Sequence, residues 1–128
     1  MITVLAVIGA ILLFVAAVFE VLLIAGLPLG EFTMGGRYKI LPPMMRVAGA
    51  FSLLTQVFAA LILLQAAGIM IMWFSVNVTR IICYVFGGFF AFNTIMNFFS
   101  LSKKEKYTMT PLALIEGVIF ILTAISLK

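Results

Sequence analysis

The stretch ITVLAVIGAILLFVAAVFEVLLIAG, residues 2–26, carries a single ionisable side chain, Glu20, in an otherwise unbroken apolar run. About 20 such residues in a helix cross the hydrocarbon core of a bilayer. Three further runs follow, at roughly 44–68, 79–101 and 111–127. None alternates with a period of two, and in lipid every backbone polar group must be satisfied internally, so the runs read as helices rather than strands. Hydrophobic residues make up 66% of the 128 and charged ones 9%, against about 25% charged in soluble domains. The fold expected is all-α: one four-helix transmembrane bundle, residues 1–128, with the bilayer as its solvent. The first run lacks a basic leading region and is too long for the core of a signal peptide, so it reads as a retained helix. Pro111 suits the first turn of the fourth helix.

The chain has no histidine, no aspartate and one cysteine, Cys83. This removes the usual zinc, haem and histidine-based catalytic sets and any intrachain disulfide. No metal, cofactor or nucleic-acid partner is expected. Cys83 reads as a small buried hydrophobe, and the eight methionines as packing residues without a ligand set. IMIMWFSVN, residues 69–77, is a short apolar connector in which Trp73 suits the membrane–water interface.

Basic residues orient the bundle. Arg37, Lys39 and Arg46 fall in or beside the connector 27–43, and Lys103, Lys104 and Lys106 in the connector 102–110. Only Arg80 and Lys128 belong to the other side. By the positive-inside rule both connectors are expected in the cytoplasm and both termini outside it, in a multi-pass membrane protein.

Ionisable residues inside spans are costly and mark candidate sites. Glu20 lies about 9 Å in from Gly26, and Glu116 about 7.5 Å in from Pro111, at 1.5 Å per residue. Their depths therefore match on this reading. Glu20 shares a helix face with Ala6, Gly9, Leu13, Ala16 and Ala17, a small-residue stripe of the kind that packs against neighbouring helices. Asn93 and Asn97 sit one turn apart on the third helix, and Ser52 lies on a polar stripe of the second. These five residues, Glu20, Glu116, Asn93, Asn97 and Ser52, are the candidate binding layer. It suits proton handling or a small amphipathic or cationic ligand. Arg46 is a weaker candidate, because it lies off the polar stripe of its helix and can snorkel to headgroups. Gln56 reads as interhelical glue and Gly87-Gly88 as a packing notch.

GLPLGEFTMGGRYKILPP, residues 26–43, is unlike the rest of the chain. It has no phosphate-binding pattern. Its prolines stiffen both ends, and Gly30, Gly35 and Gly36 open backbone shapes closed to other residues. With Arg37 they are expected to form an ordered cap over the bundle mouth. Together with NFFSLSKKEKYTMTPLALIEG, this stretch resembles a broad group of uncharacterised small bacterial four-helix integral membrane proteins. The shared pattern is Glu20, Gly26-x-Pro28-x-Gly30, Gly35-Gly36, Leu41-Pro42 and Arg46, then Asn97, Ser100, Ser102, Glu105 and Pro111. The resemblance covers most of the chain and implies the same fold, with both connectors more than spacers.

Three functions are compatible with these residues. The leading one is a cytoplasm-facing polar pocket for an amphipathic or cationic ligand, with proton-coupled transport as one version. Size, helix number and a first-helix glutamate match exporters of the small multidrug type by analogy of architecture. A chain this short would then need a homodimer to enclose a pathway. The second is an accessory or assembly subunit docked to a larger membrane partner. The third is a lipid-modifying or isomerase-type enzyme with two glutamates as acid and base.

Overall fold

The structure is a computed structural model that describes residues 2–29, 40 and 42–127. It contains four helices: α1 Ile2–Ile24, α2 Pro43–Ala66, α3 Val76–Phe98 and α4 Lys103–Ser126. Each is long and apolar enough to cross a membrane. The chain is a multi-pass, all-helical membrane protein. Its helices run up and down, giving a terminal end, where α1 starts and α4 finishes, and a basic end, where Arg46, Lys103, Lys104 and Lys106 lie.

Local chemistry sets the boundaries. Helix α1 stops at Gly26, whose φ of 101° is open to glycine and strained for other residues. The Gly26 N–H donates to the Leu23 carbonyl at 3.1 Å and the Leu27 N–H to the Leu22 carbonyl at 3.1 Å, which is the Schellman arrangement. The same pair of bonds recurs after α2 at Gly68 and Ile69. Pro43 opens α2 behind Pro42, where a missing N–H costs nothing. Ser75 caps α3 by accepting from the Val78 N–H at 3.2 Å.

Helix α4 differs from the sequence expectation. It begins at Lys103, not Pro111, and Pro111 lies inside it. The 102–110 segment expected as a loop is therefore the first two turns of the helix. Ser102 supplies the start signal, accepting from the Glu105 N–H at 3.3 Å, and an S-x-x-E spacing marks the helix N-terminus. Proline is tolerated within membrane helices because neighbours re-satisfy the freed backbone groups.

Packing is uneven along the bundle axis. Helix α1 packs mainly on α2, and α3 mainly on α4; the two hairpins meet chiefly through α1 and α4, with sparse contact between α2 and α3. Buried residues of α2 and α3 crowd the terminal half: Ala59, Ala60, Ile62, Leu63 and Gln65 on α2, and Thr79, Cys83, Phe86, Gly87 and Phe90 on α3. In the basic half α2 buries only Gly49, and α3 buries nothing beyond Phe90. The terminal half closes around a ladder of rings. Phe86 and Phe120 centroids are 5.2 Å apart, Phe90 and Phe120 stack at 5.6 Å, and Phe58 of α2 reaches Phe86 at 6.1 Å.

Glycines let the backbones approach. A Cβ on Gly9 would stand 2.9 Å from Leu63 Cδ1 and 3.0 Å from Ile119 Cγ2, so α1, α2 and α4 converge there. On Gly87 it would stand 2.7 Å from Ile121 Cγ1, whereas Gly88 faces open space. Leucine at these two adjacent positions should therefore have opposite effects. Gly87→Leu overpacks the α3–α4 contact and is expected to lower stability by about 1–3 kcal/mol. Gly88→Leu should be neutral or stabilising by up to about 1 kcal/mol through helix propensity. Thermal unfolding in detergent, followed by circular dichroism, measures both.

Candidate functional site

The loosely packed basic half borders a cavity of about 500 Å³, within the ~300–1,000 Å³ range of small-molecule sites. All four helices line it. Glu20, Ser52, Asn93, Asn97 and Glu116 all face it, together with apolar residues such as Leu13, Phe19, Phe90 and Leu112. Among the described residues that line it, none is basic.

Each polar wall residue is positioned by its helix. Glu20 continues the buried stripe Ala6, Gly9, Leu13 and Ala17 of α1. Its carboxylate lies against Gly49 of α2, where an added Cβ would stand 2.9 Å from Oε1. Ser52 and Gln56, one turn apart on α2, are joined by a bond of 3.4 Å from Gln56 Nε2 to Ser52 Oγ. Gln56 is therefore tied within its own helix rather than across helices, and its Oε1 is buried with no partner among the described residues. Asn93 and Asn97 are half-buried on α3 beyond Phe90. Glu116 is 1% exposed, and neither of its oxygens has a partner among the described residues.

The carboxylates do not form one layer. With α4 beginning at Lys103, Glu116 lies about 20 Å along its helix, while Glu20 is about 6 Å from the end of α1, at 1.5 Å per residue. A third carboxylate, Glu105, also lines the cavity. It precedes Glu116 by eleven residues, which is three turns on nearly the same face and about 16 Å of axial rise. The stripe Glu105, Thr108, Met109, Leu112, Ala113 and Glu116 is one continuous wall. The cavity thus spans this length of α4, with Glu105 nearer the basic end and Glu116 at its floor, beside Phe90 of the phenylalanine ladder. Among the described residues no three acidic side chains converge as a metal cluster would require.

Glu105, Thr108 and Gln56 are cavity residues that the sequence reading left out of the site. The S-x-x-E start at Ser102 and the eleven-residue interval to Glu116 were the signals for Glu105. Thr55 and Thr94 bond back to the carbonyls of Phe51 and Phe90 at 2.9 and 2.8 Å and do not line the cavity. Arg46 is also outside it. Its guanidinium packs over Gly26, with Nη2 3.0 Å from where a Cβ would stand, so it lies at the C-terminus of α1, where positive charge is favourable. At the other end Arg80 donates to the Leu127 carbonyl at 3.0 and 2.6 Å. The four loop candidates, Gly30, Gly35, Gly36 and Arg37, lie outside the described residues.

Comparison with protein-family models, with curated proteins and with solved structures finds no match to this chain. The site therefore stands on its own geometry. Because Glu20 is seated in the notch of Gly49, Gly49→Val should push the carboxylate and Ile24 aside and cost about 1–3 kcal/mol. Ala48→Val, at an exposed neighbour, is expected to leave the unfolding midpoint almost unchanged.

Proposed function

We propose that the protein binds a small amphipathic cation in this cavity, with Glu116 as the terminal anchor and Glu20 and Glu105 along the way. One observation carries the reading: a fully buried carboxyl without a partner among the described residues forms the floor of a cavity that no described basic side chain lines. An uncompensated buried charge costs about 3–5 kcal/mol. A proton or the cationic group of a ligand offsets that cost, and Asn93, Asn97 and Ser52 offer hydrogen bonds beside it. The apolar wall accepts the remainder of an amphipathic molecule. Proton and cation compete for the same oxygens, so proton-coupled exchange is the transport mode that such a site supports. The cavity lies in the half of the bundle nearer the lysine- and arginine-rich end, which the positive-inside rule assigns to the cytoplasm.

Tetraphenylphosphonium is a suitable probe, being cationic and lipophilic. Glu116→Gln keeps shape and removes charge. It is expected to weaken tetraphenylphosphonium binding in calorimetry by at least tenfold, about 1.4 kcal/mol, with the helical circular dichroism retained. Unchanged affinity would exclude Glu116 as the anchor. Orientation has its own test. Leu101, at the basic end, is 96% exposed. In a Cys83→Ser background, Leu101→Cys should react with an impermeant maleimide from the cytoplasmic side of sealed vesicles and not from the opposite side.

A further inference from the structure

We infer that the cavity opens sideways into the bilayer through the gap between α2 and α3, so that its ligand arrives from the acyl-chain region rather than from water. This deepens the binding reading above by naming the source of the ligand. Four observations support it. First, α2 and α3 touch only sparsely, and their ring contact, Phe58 with Phe86, lies in the terminal half. Second, on the basic side of that contact the facing positions are cavity residues, Ser52 and Gln56 on α2 and Asn93 and Asn97 on α3. Third, Ser52 is an exposed residue although it lines the cavity, and its neighbours Phe51 and Leu54 are 68% and 67% exposed. Fourth, Ser52 lies about 13 Å along α2, and Asn93 about 7 Å from the end of α3. The gap therefore sits within the spans and not only at their ends.

The polar groups beside the gap suit this setting. Gln56 Nε2 bonds Ser52 Oγ, and the Thr55 and Thr94 hydroxyls bond their own helices. Each of these three side chains thus has a protein acceptor on its own helix. Of the cavity's own buried atoms, Gln56 Oε1 and both oxygens of Glu116 have no partner among the described residues and are available to a ligand. A membrane-dissolved amphiphile can leave its apolar part in the leaflet, pass a cationic head between Ser52 and Asn93, and reach Glu116 without dissolving in water.

Tryptophan quenching tests the route independently of binding. In a Trp73→Phe background, the chain holds one indole at Ser52→Trp, with Leu54→Trp as a lipid-facing reference. The protein is reconstituted in vesicles of phosphatidylcholine brominated in mid-chain. Ser52→Trp should be quenched to at least half the extent of Leu54→Trp and be insensitive to aqueous iodide. Quenching by iodide but not by brominated chains would mean entry from water at the basic end, and quenching by neither would mean a closed wall; either overturns the inference. Asn93→Trp repeats the reading from the opposite side should Ser52→Trp fail to fold. A kinetic arm then uses tetraphenylphosphonium: Ser52→Trp should slow its association at least tenfold, whereas Thr55→Trp should not. Absence of tetraphenylphosphonium binding in every variant, with lipid quenching intact, would sink the cation reading and leave the lateral opening standing.

Discussion

A bundle surrounded by lipid gains no hydrophobic force from bringing its helices together, because the acyl chains are as apolar as leucine. Cohesion must come from close packing and hydrogen bonds. Here both are concentrated in one half. Gly9 lets α1 meet Leu63 and Ile119, Gly87 receives Ile121, and the Phe58, Phe86, Phe90 and Phe120 rings fill the space between the hairpins. Gln65, buried in the same half, accepts from the Trp73 N–H at 2.9 Å and fixes the short connector. Among the described residues the basic half has no such filling, and there the helices border a cavity. The tight half makes the loose half tolerable.

The same contrast explains where acidic groups can reside. Glu20 rests against Gly49, in a position that a larger residue on α2 would close. Glu105 sits near the Ser102-capped start of α4, where a carboxylate also benefits from the positive end of the helix dipole. Glu116 has neither a notch partner nor a helix end, and it is the most deeply buried of the three. Its placement costs stability unless a proton or a cation attends it. Such a cost at the floor of a cavity is a functional feature by default in a membrane helix.

Much of this was legible in the sequence because lipid leaves few alternatives. Four long apolar runs could only be helices, and the stripe Ala6, Gly9, Leu13 and Ala17 placed Glu20 toward the interior. The five polar residues singled out on four helices do share one cavity. The vertical arrangement was not legible. Pro111 looked like a helix start, and Ser102 with Glu105 was the stronger start signal. With the boundary at Lys103, Glu20 and Glu116 no longer share a depth, and Glu105 joins Glu116 along one wall of α4. Gln56 was misjudged because an amide can bond along its own helix as readily as across to another, and sequence alone does not distinguish the two. Splaying in the basic half depends on which pairs of helices pack tightly, a property of the whole bundle rather than of any one run.

Two arginines near helix starts bring charge to the ends of neighbouring helices. Arg46 of α2 packs over the C-terminal glycine of α1, and Arg80 of α3 holds the carbonyl of Leu127 just past α4. Each brings positive charge to a helix end with no basic residue in its own last turn. Each also ties a helix to its partner within the same hairpin, α2 to α1 and α3 to α4. Neither tie crosses from one hairpin to the other. Among the described residues, the close contacts printed between the hairpins, of Gly9 with Ile119 and of Phe58 with Phe86, are apolar. Shape complementarity is strong only where Gly9 and the rings provide it. Beyond them the α2–α3 seam parts, and the cavity and its carboxylates occupy the space that remains.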